Sequence, residues 1–174
     1  MMARLPRIPD LLTTANLACG VGSILLASQG QLTWACWLVF AGALFDVFDG
    51  LAARALGGGS PLGAQLDSLA DMVTFGVAPG MIVGLAFLHN SMEPGSTIEY
   101  SFYALANRSW LHLTSIIGTV LIITVASAWR LAKFNIDTRQ TNGFLGLPTP
   151  ANGLFWVSVV LVTRGEALHG DQYH

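Results

Sequence analysis

Residues 46–71 read DVFDGLAARALGGGSPLGAQLDSLAD, and the aspartates in that stretch, Asp46, Asp49, Asp67 and Asp71, decide how the rest of the chain is read. They are four of only ten acidic residues in 174, and they lie between two long apolar runs. An ionisable side chain at membrane depth is costly and marks function before packing. Four carboxylates with no matching cluster of Lys or Arg call for a cation. The stretch therefore reads as a divalent-metal site at a membrane surface.

Composition supports the membrane setting. Apolar residues make up 53% of the chain and charged residues 10%, against about 25% charged in an ordinary soluble domain. The mean hydropathy is +0.58. A span needs roughly 20 apolar residues, so the chain predicts one all-α domain over residues 1–174, a polytopic transmembrane helix bundle of five to six spans. No basic run points to nucleic acid. Cys19 and Cys36 sit in apolar segments at no metal-ligand spacing and read as buried packing thiols. The start MMARLPRIPD reads as a short N-terminal interfacial segment and not a cleaved leader, because the apolar run after it contains Asn16 and lacks a small-residue cleavage site.

In chain order, the first span is expected over 11–28, with a tight turn at Gln29-Gly30-Gln31. A second helix starts near Leu32, anchored by Trp34 and Trp37, and runs to about Leu56. Gly57 to Pro61 must break it. A third helix is expected from about Gly63 to Leu88, polar in its first turns. The segment 89–108 is polar, span four covers 109–131, and a polar loop leads to a last apolar run at 151–162. That run is short for a span. Loop charges set orientation: Arg4, Arg7, Arg54, Arg130, Lys133 and Arg139 on the aspartate side against Arg108 and Arg164 opposite. The aspartate side is then cytoplasmic. The histidines His89, His112, His169 and His174 show no ligand spacing and read as surface residues.

Helical spacing gathers the acids. Residues three or four apart share a face, so Asp46, Asp49, Gly50 and Ala53 form one stripe with Arg54 at its edge. Asp67 and Asp71 form another, preceded by Gly63. The short break makes the two helices antiparallel neighbours with these faces opposed. An all-oxygen donor set suits one or two hard cations such as Mg²⁺ or Mn²⁺, which can clamp a pyrophosphate. Gly50, Ala53 and Gly63 leave room for a ligand, and Arg54 offers phosphate a bidentate fork. Two other readings stand beside this one: solvated, idle helix ends, and a divalent-cation transport site.

The spacing Asp46-x2-Asp49-Gly50-x2-Ala53-Arg54-x8-Gly63-x3-Asp67-x3-Asp71 resembles, without a departure, the motif of the CDP-alcohol phosphotransferase family. The resemblance implies a membrane transferase that displaces CMP from a CDP-linked alcohol with an acceptor hydroxyl, using two metal ions. It implies that Asp46 and Asp67 bridge both ions, that Asp49 holds one, and that Asp71 holds the other and serves as general base. It also sets Gly50, Arg54 and Ser60 against the CDP group.

Three flanking runs, IPDLLTTANLACG, LDSLADMVTFGVAPG and RLAKFNIDTRQTNGFLGLPTPAN, resemble the phosphatidylserine synthase branch. Together the resemblance covers residues 8 to about 153. It implies CDP-diacylglycerol, or an ether-lipid equivalent, and L-serine as substrates, with phosphatidylserine and CMP as products. Glycerol 3-phosphate or an inositol phosphate is the alternative acceptor within the class. Thr13, Thr14 and Asn16 then stand where they would touch the CDP group, although Asn16 also reads as interhelical glue. Arg130, Lys133 and Asn135 are candidates for the acceptor carboxylate or a lipid phosphate, with positive-inside anchoring as the other reading of the two cations. Thr74 is a candidate for the acceptor pocket, and Phe75 reads as packing. The family implies six spans and a homodimer in the cell membrane. Here the last run is short and RGEALHGDQYH follows without a sixth, so the expectation is a truncated chain or abbreviated terminal helices.

Overall fold

The computed structural model describes residues 7–58, 60–90, 110–136 and 147–170. The expectations for residues 1–6, 91–109, 137–146 and 171–174, with their charges and His174, lie outside the described residues, as do the side chains of His112 and His169.

Among the described residues the chain is all helical. Helix α1 spans Ile8–Ser28, α2 Leu32–Ala55 and α3 Pro61–Asp71. A π-helical segment, Met72–Val77, carries α3 without a break into α4, Ala78–Asn90; α5 is Trp110–Ile136 and α6 is Thr149–Gly170. Four stretches among the described residues are long and apolar enough to cross a membrane: Ile8–Ser28, Leu32–Ala55, Pro61–His89 and Leu113–Ile136. The 22-residue α6 is not one of the four, although it extends well past the apolar run at 151–162. Helicity continues through TRGEALHG, where Arg164, Glu166, Ala167 and Leu168 favour helix without making the run apolar enough for a span.

Element starts follow capping chemistry. Helix α1 begins at Ile8, three residues before the apolar run, because Pro9 falls in the first turn, where no N–H is needed. The Asp10 carboxylate also accepts from Arg7 N–H at 3.1 Å. Helix α3 begins at Pro61, with Ser60 as its N-cap accepting from Gly63 N–H at 2.9 Å.

Helices α1 and α2 form the most extensive interface, closed by a turn in which Gly30 has a φ of 78°. Ser23 on α1 ties it by donating to the Ala35 carbonyl at 2.8 Å. The α3–α4 rod threads the middle of the bundle, and α5 and α6 pack along its second half. Lipid offers helices no hydrophobic drive to associate, so close approach of small residues does that work. A Cβ placed on Gly76 would lie 3.1 Å from Ser127 Cβ, on Gly80 3.0 Å from Thr124 Oγ1, and on Gly84 2.5 Å from Val120 Cγ2. These glycines form a stripe along which α5 seats. Outward-facing apolar side chains such as Leu44, Phe48, Leu121 and Ile122 stay exposed, as a lipid-facing surface requires.

The π segment was not legible in the periodicity. It buries Thr74, Phe75 and Gly76 in succession. Pro79 lies two residues past its end. A proline in a helix cannot donate to the carbonyl four residues back and its ring presses on that carbonyl. The widened turn accommodates this: Ala78 N–H donates five residues back, to Val73.

Candidate metal centre and its two cavities

Helix α2 supplies Asp46 and Asp49 near its C-terminal end, and α3 supplies Asp67 and Asp71. Between them Gly57 and Gly58 adopt φ of 87° and 109°, a left-handed conformation that side chains disfavour. The hairpin they make does not zip α2 onto α3. Those helices make little direct contact, and α1 packs against both. The carboxylates therefore meet across a gap.

One oxygen each from Asp46, Asp49 and Asp67 lies within 4.8 Å of the others. The nearby cations are engaged elsewhere. Arg54 Nε donates to the Gly50 carbonyl at 3.1 Å, and Arg130 Nη1 donates to Thr149 Oγ1 at 2.7 Å. Three converging carboxylates with only oxygen donors fit a hard divalent cation. Asp71 is outside that trio. It is buried, at 9% exposure, and adjoins Asp46.

Helix α1 contributes no acid to the cluster but orients two of its members. Thr13 Oγ1 donates to Asp49 Oδ2 at 2.7 Å, and Asn16 Nδ2 donates to Asp71 Oδ1 at 3.3 Å. The two donors are three residues apart and so share a face of α1. Thr14, next to Thr13, is exposed, and its hydroxyl donates to the Asp10 carbonyl at 2.7 Å.

The cluster separates two cavities. The first, about 140 Å³, opens among α1, α2 and the start of α3; Thr13, Asp49, Gly50, Ala53, Ser60, Gly63 and Asp67 line it, with Arg7 and Asp10. A Cβ on Gly50 would come no nearer than 3.8 Å to Arg54 Nη2, so that position is open. A Cβ on Gly63 would sit 2.8 Å from Asp10 Oδ1 and 3.2 Å from Ser60 Oγ, so the space beside Gly63 admits the protein's own α1. Arg54 is exposed at the margin. The second cavity, about 210 Å³, lies across the cluster and is lined by Asp67, Ser68, Asp71, Arg130, Asn135 and Thr149, among others. Asn135 Nδ2 donates to Ser68 Oγ at 2.9 Å there. Asp67 faces both cavities.

The sequence candidates Thr14, Asn16, Thr74 and Lys133 line neither cavity. Lys133 is exposed. Thr74 is fully buried and donates to the Asn16 carbonyl at 3.0 Å, and Asn16 is fully buried. Sequence reasoning missed Arg7, Asp10, Ser68 and Thr149. Of these only Asp10 carried a signal, as the acidic residue of the first helical turn.

A sequence model of the CDP-alcohol phosphatidyltransferase family matches residues 7–170. The chain belongs to that family. Curated relatives carry more specific names. A CDP-diacylglycerol–serine O-phosphatidyltransferase of Helicobacter pylori (strain J99) is 34% identical over 156 residues, covering 88% of this chain and 57% of that one. One of Bacillus subtilis (strain 168) is 34% identical over 149 residues, covering 84% and 71%. An archaetidylserine synthase of Methanothermobacter thermautotrophicus is 32% identical over 145 residues, covering 82% and 53%. The chain thus spans little more than half the length of several relatives it matches. The family generally uses a divalent metal, and the three converging carboxylates could hold one.

Proposed function

We propose that the protein transfers the phosphatidyl group of CDP-diacylglycerol, or of an ether-lipid equivalent, to the hydroxyl of L-serine, releasing CMP. The observation that carries this reading is the carboxylate cluster shared as a wall between two cavities. Such an arrangement lets a donor and an acceptor approach one reacting centre from opposite sides. The names of the bacterial and archaeal relatives support serine as acceptor and leave the lipid chains open.

In this reading the first cavity takes the CDP group against Gly50, Ala53, Ser60 and Gly63, with Arg54 at its edge for phosphate. Asp46, Asp49 and Asp67, with Asp71, would hold Mg²⁺ or Mn²⁺, two ions as the family motif implies. Bound divalent cations neutralise charge on the pyrophosphate as CMP leaves. The serine hydroxyl is a weak nucleophile and needs a positioned base. Asp71, lining the second cavity, accepts its proton as the serine oxygen bonds to the phosphatidyl phosphorus and the bond from that phosphorus to the CMP oxygen breaks. Arg130 offers the serine carboxylate a charge-assisted partner. The amino end of α6, at Pro148 and Thr149, adds partial positive charge on the same side.

The same reading gives a multi-pass protein of the cell membrane with its centre on the cytoplasmic side, five to six spans, and a homodimer. Glycerol 3-phosphate or an inositol phosphate is the competing acceptor, and family membership weighs against the transport reading. Purified protein given CDP-diacylglycerol, Mn²⁺ and labelled serine should place label in lipid and release CMP. Label entering lipid only from glycerol phosphate would sink the serine assignment, and metal uptake into vesicles without CMP release would sink the enzyme.

A further inference from the structure

We propose that Asn16 is a positioning residue for Asp71, acting through a hydrogen bond from α1 and not by touching the nucleotide; this rests on Asp71 being the base. Asn16 is fully buried and lines neither cavity. Its Nδ2 donates to Asp71 Oδ1 at 3.3 Å, which ties that oxygen to α1. Asp71 is also paired with Asp46 through its side chain and lines the second cavity.

The asparagine is itself locked from two directions. Its main-chain carbonyl accepts from Thr74 Oγ1 at 3.0 Å, one turn beyond Asp71. Thr74 in turn fits a cleft that only glycines leave open. A Cβ on Gly20 would lie 2.5 Å from Thr74 Oγ1, and one on Gly42 would lie 2.7 Å from Thr74 Cγ2 and 2.9 Å from Asn16 Oδ1. Asn16 is thus held from the α3–α4 rod at Thr74 and packed closely against α2 at Gly42.

A second observation separates this role from simple helix adhesion. Asn16 Oδ1 is buried with no hydrogen-bond partner. A buried polar atom left unpaired costs stability, so an amide serving only to glue helices would use both ends or be replaced by leucine of similar size. Only the donor end is used, and it is used on Asp71.

The test compares Asn16→Leu, Asn16→Asp and Thr74→Val with the wild type in one detergent. Asn16→Asp keeps the shape and replaces the neutral amide donor with a carboxyl that must repel Asp71 or share a proton with it, and Thr74→Val removes the brace behind it. Loss of an outer partner of this kind lowers activity roughly 10–100-fold. We expect that loss in kcat for both Asn16 variants and a smaller one for Thr74→Val, with KM for the CDP-lipid and the calorimetric Kd for CDP unchanged. A raised KM and Kd with kcat intact would assign Asn16 to the nucleotide and overturn the proposal. So would wild-type kcat in Asn16→Leu, or losses of kcat, CDP affinity and unfolding temperature in step. Should Asn16→Leu fail to accumulate, the other two variants decide. Infrared difference spectra supply a readout independent of the acceptor: the carboxyl band that Asp71→Asn removes should shift in Asn16→Leu and in Thr74→Val, neither of which adds a carboxyl. An unmoved band overturns the proposal even if serine proves the wrong alcohol, whereas a shifted band with no serine transfer faults only the choice of acceptor.

Discussion

Thr13 Oγ1 donates to Asp49 Oδ2 at 2.7 Å across the α1–α2 interface. The helix that adds no acid to the cluster thereby fixes the direction in which one of the clustered acids points. Second partners of this sort orient metal ligands and are worth roughly 10–100-fold in metal affinity. Thr13→Val, which keeps the side-chain shape, should weaken Mn²⁺ binding by about that factor in calorimetric titration. Unchanged affinity would show that Asp49 needs no help from α1.

Asp67 and Asp71 differ in place, and their variants should differ in kind. Asp67 belongs to the trio within 4.8 Å and faces both cavities, so Asp67→Asn should lose Mn²⁺ and CDP-lipid binding together. Asp71 lies outside that trio. Asp71→Asn should abolish turnover while CDP-lipid binding stays largely intact. Turnover that survives in Asp71→Asn removes it as the base.

Arg130 lines the second cavity and Lys133, one turn on, does not. Arg130→Ala should raise KM for the acceptor, and Lys133→Ala should leave it unchanged. Losing one charge-assisted hydrogen bond costs about 1.5–3 kcal/mol, so the rise for Arg130→Ala is of order tenfold or more. Equal effects of the two variants would mean that the cations act only as membrane anchors.

The glycine contacts predict a graded stability series. Gly20→Ala and Gly84→Ala each set a methyl group 2.5 Å from a neighbouring side-chain atom, an overpacking that costs about 1–3 kcal/mol. At Gly118 a Cβ meets nothing within 4 Å, so Gly118→Ala should be neutral or stabilising, by up to about 1 kcal/mol. Unfolding temperatures in detergent check the order; Gly118→Ala falling with the others would refute the packing assignment.

Much of the molecule was legible in its sequence, and the reasons are physical. Asp46, Asp49, Asp67 and Asp71 stand out because charge in an apolar chain is costly, and a turn of 3.6 residues brings them onto shared faces. What stayed hidden depends on contacts between helices distant in sequence. Asn16 and Thr74 look like nucleotide and acceptor residues from their positions, yet they meet each other through α1 and the π segment. That α1 mediates between α2 and α3 has no local signal. The GxxxGxxxG run at Gly76, Gly80 and Gly84 did carry one, as a small-residue stripe for helix packing, and it passed unread. Capping chemistry at Ser60-Pro61 would likewise have set the start of α3 two residues earlier.

The π turn has a consequence for timing along the rod. Counting from Asp67, the positions turned toward α5 are 67, 71, 76, 80 and 84, a stride of four broken once by a stride of five. The extra residue acts as a leap day that keeps two calendars aligned: the acids stay opposite Arg130 while the glycines stay opposite Ser127, Thr124 and Val120. Removing one residue between 72 and 77 would turn one half against the other by roughly 100°. Such a shortened chain should remain helical by circular dichroism yet no longer bind Mn²⁺, and retained metal affinity would show that the two halves keep separate time.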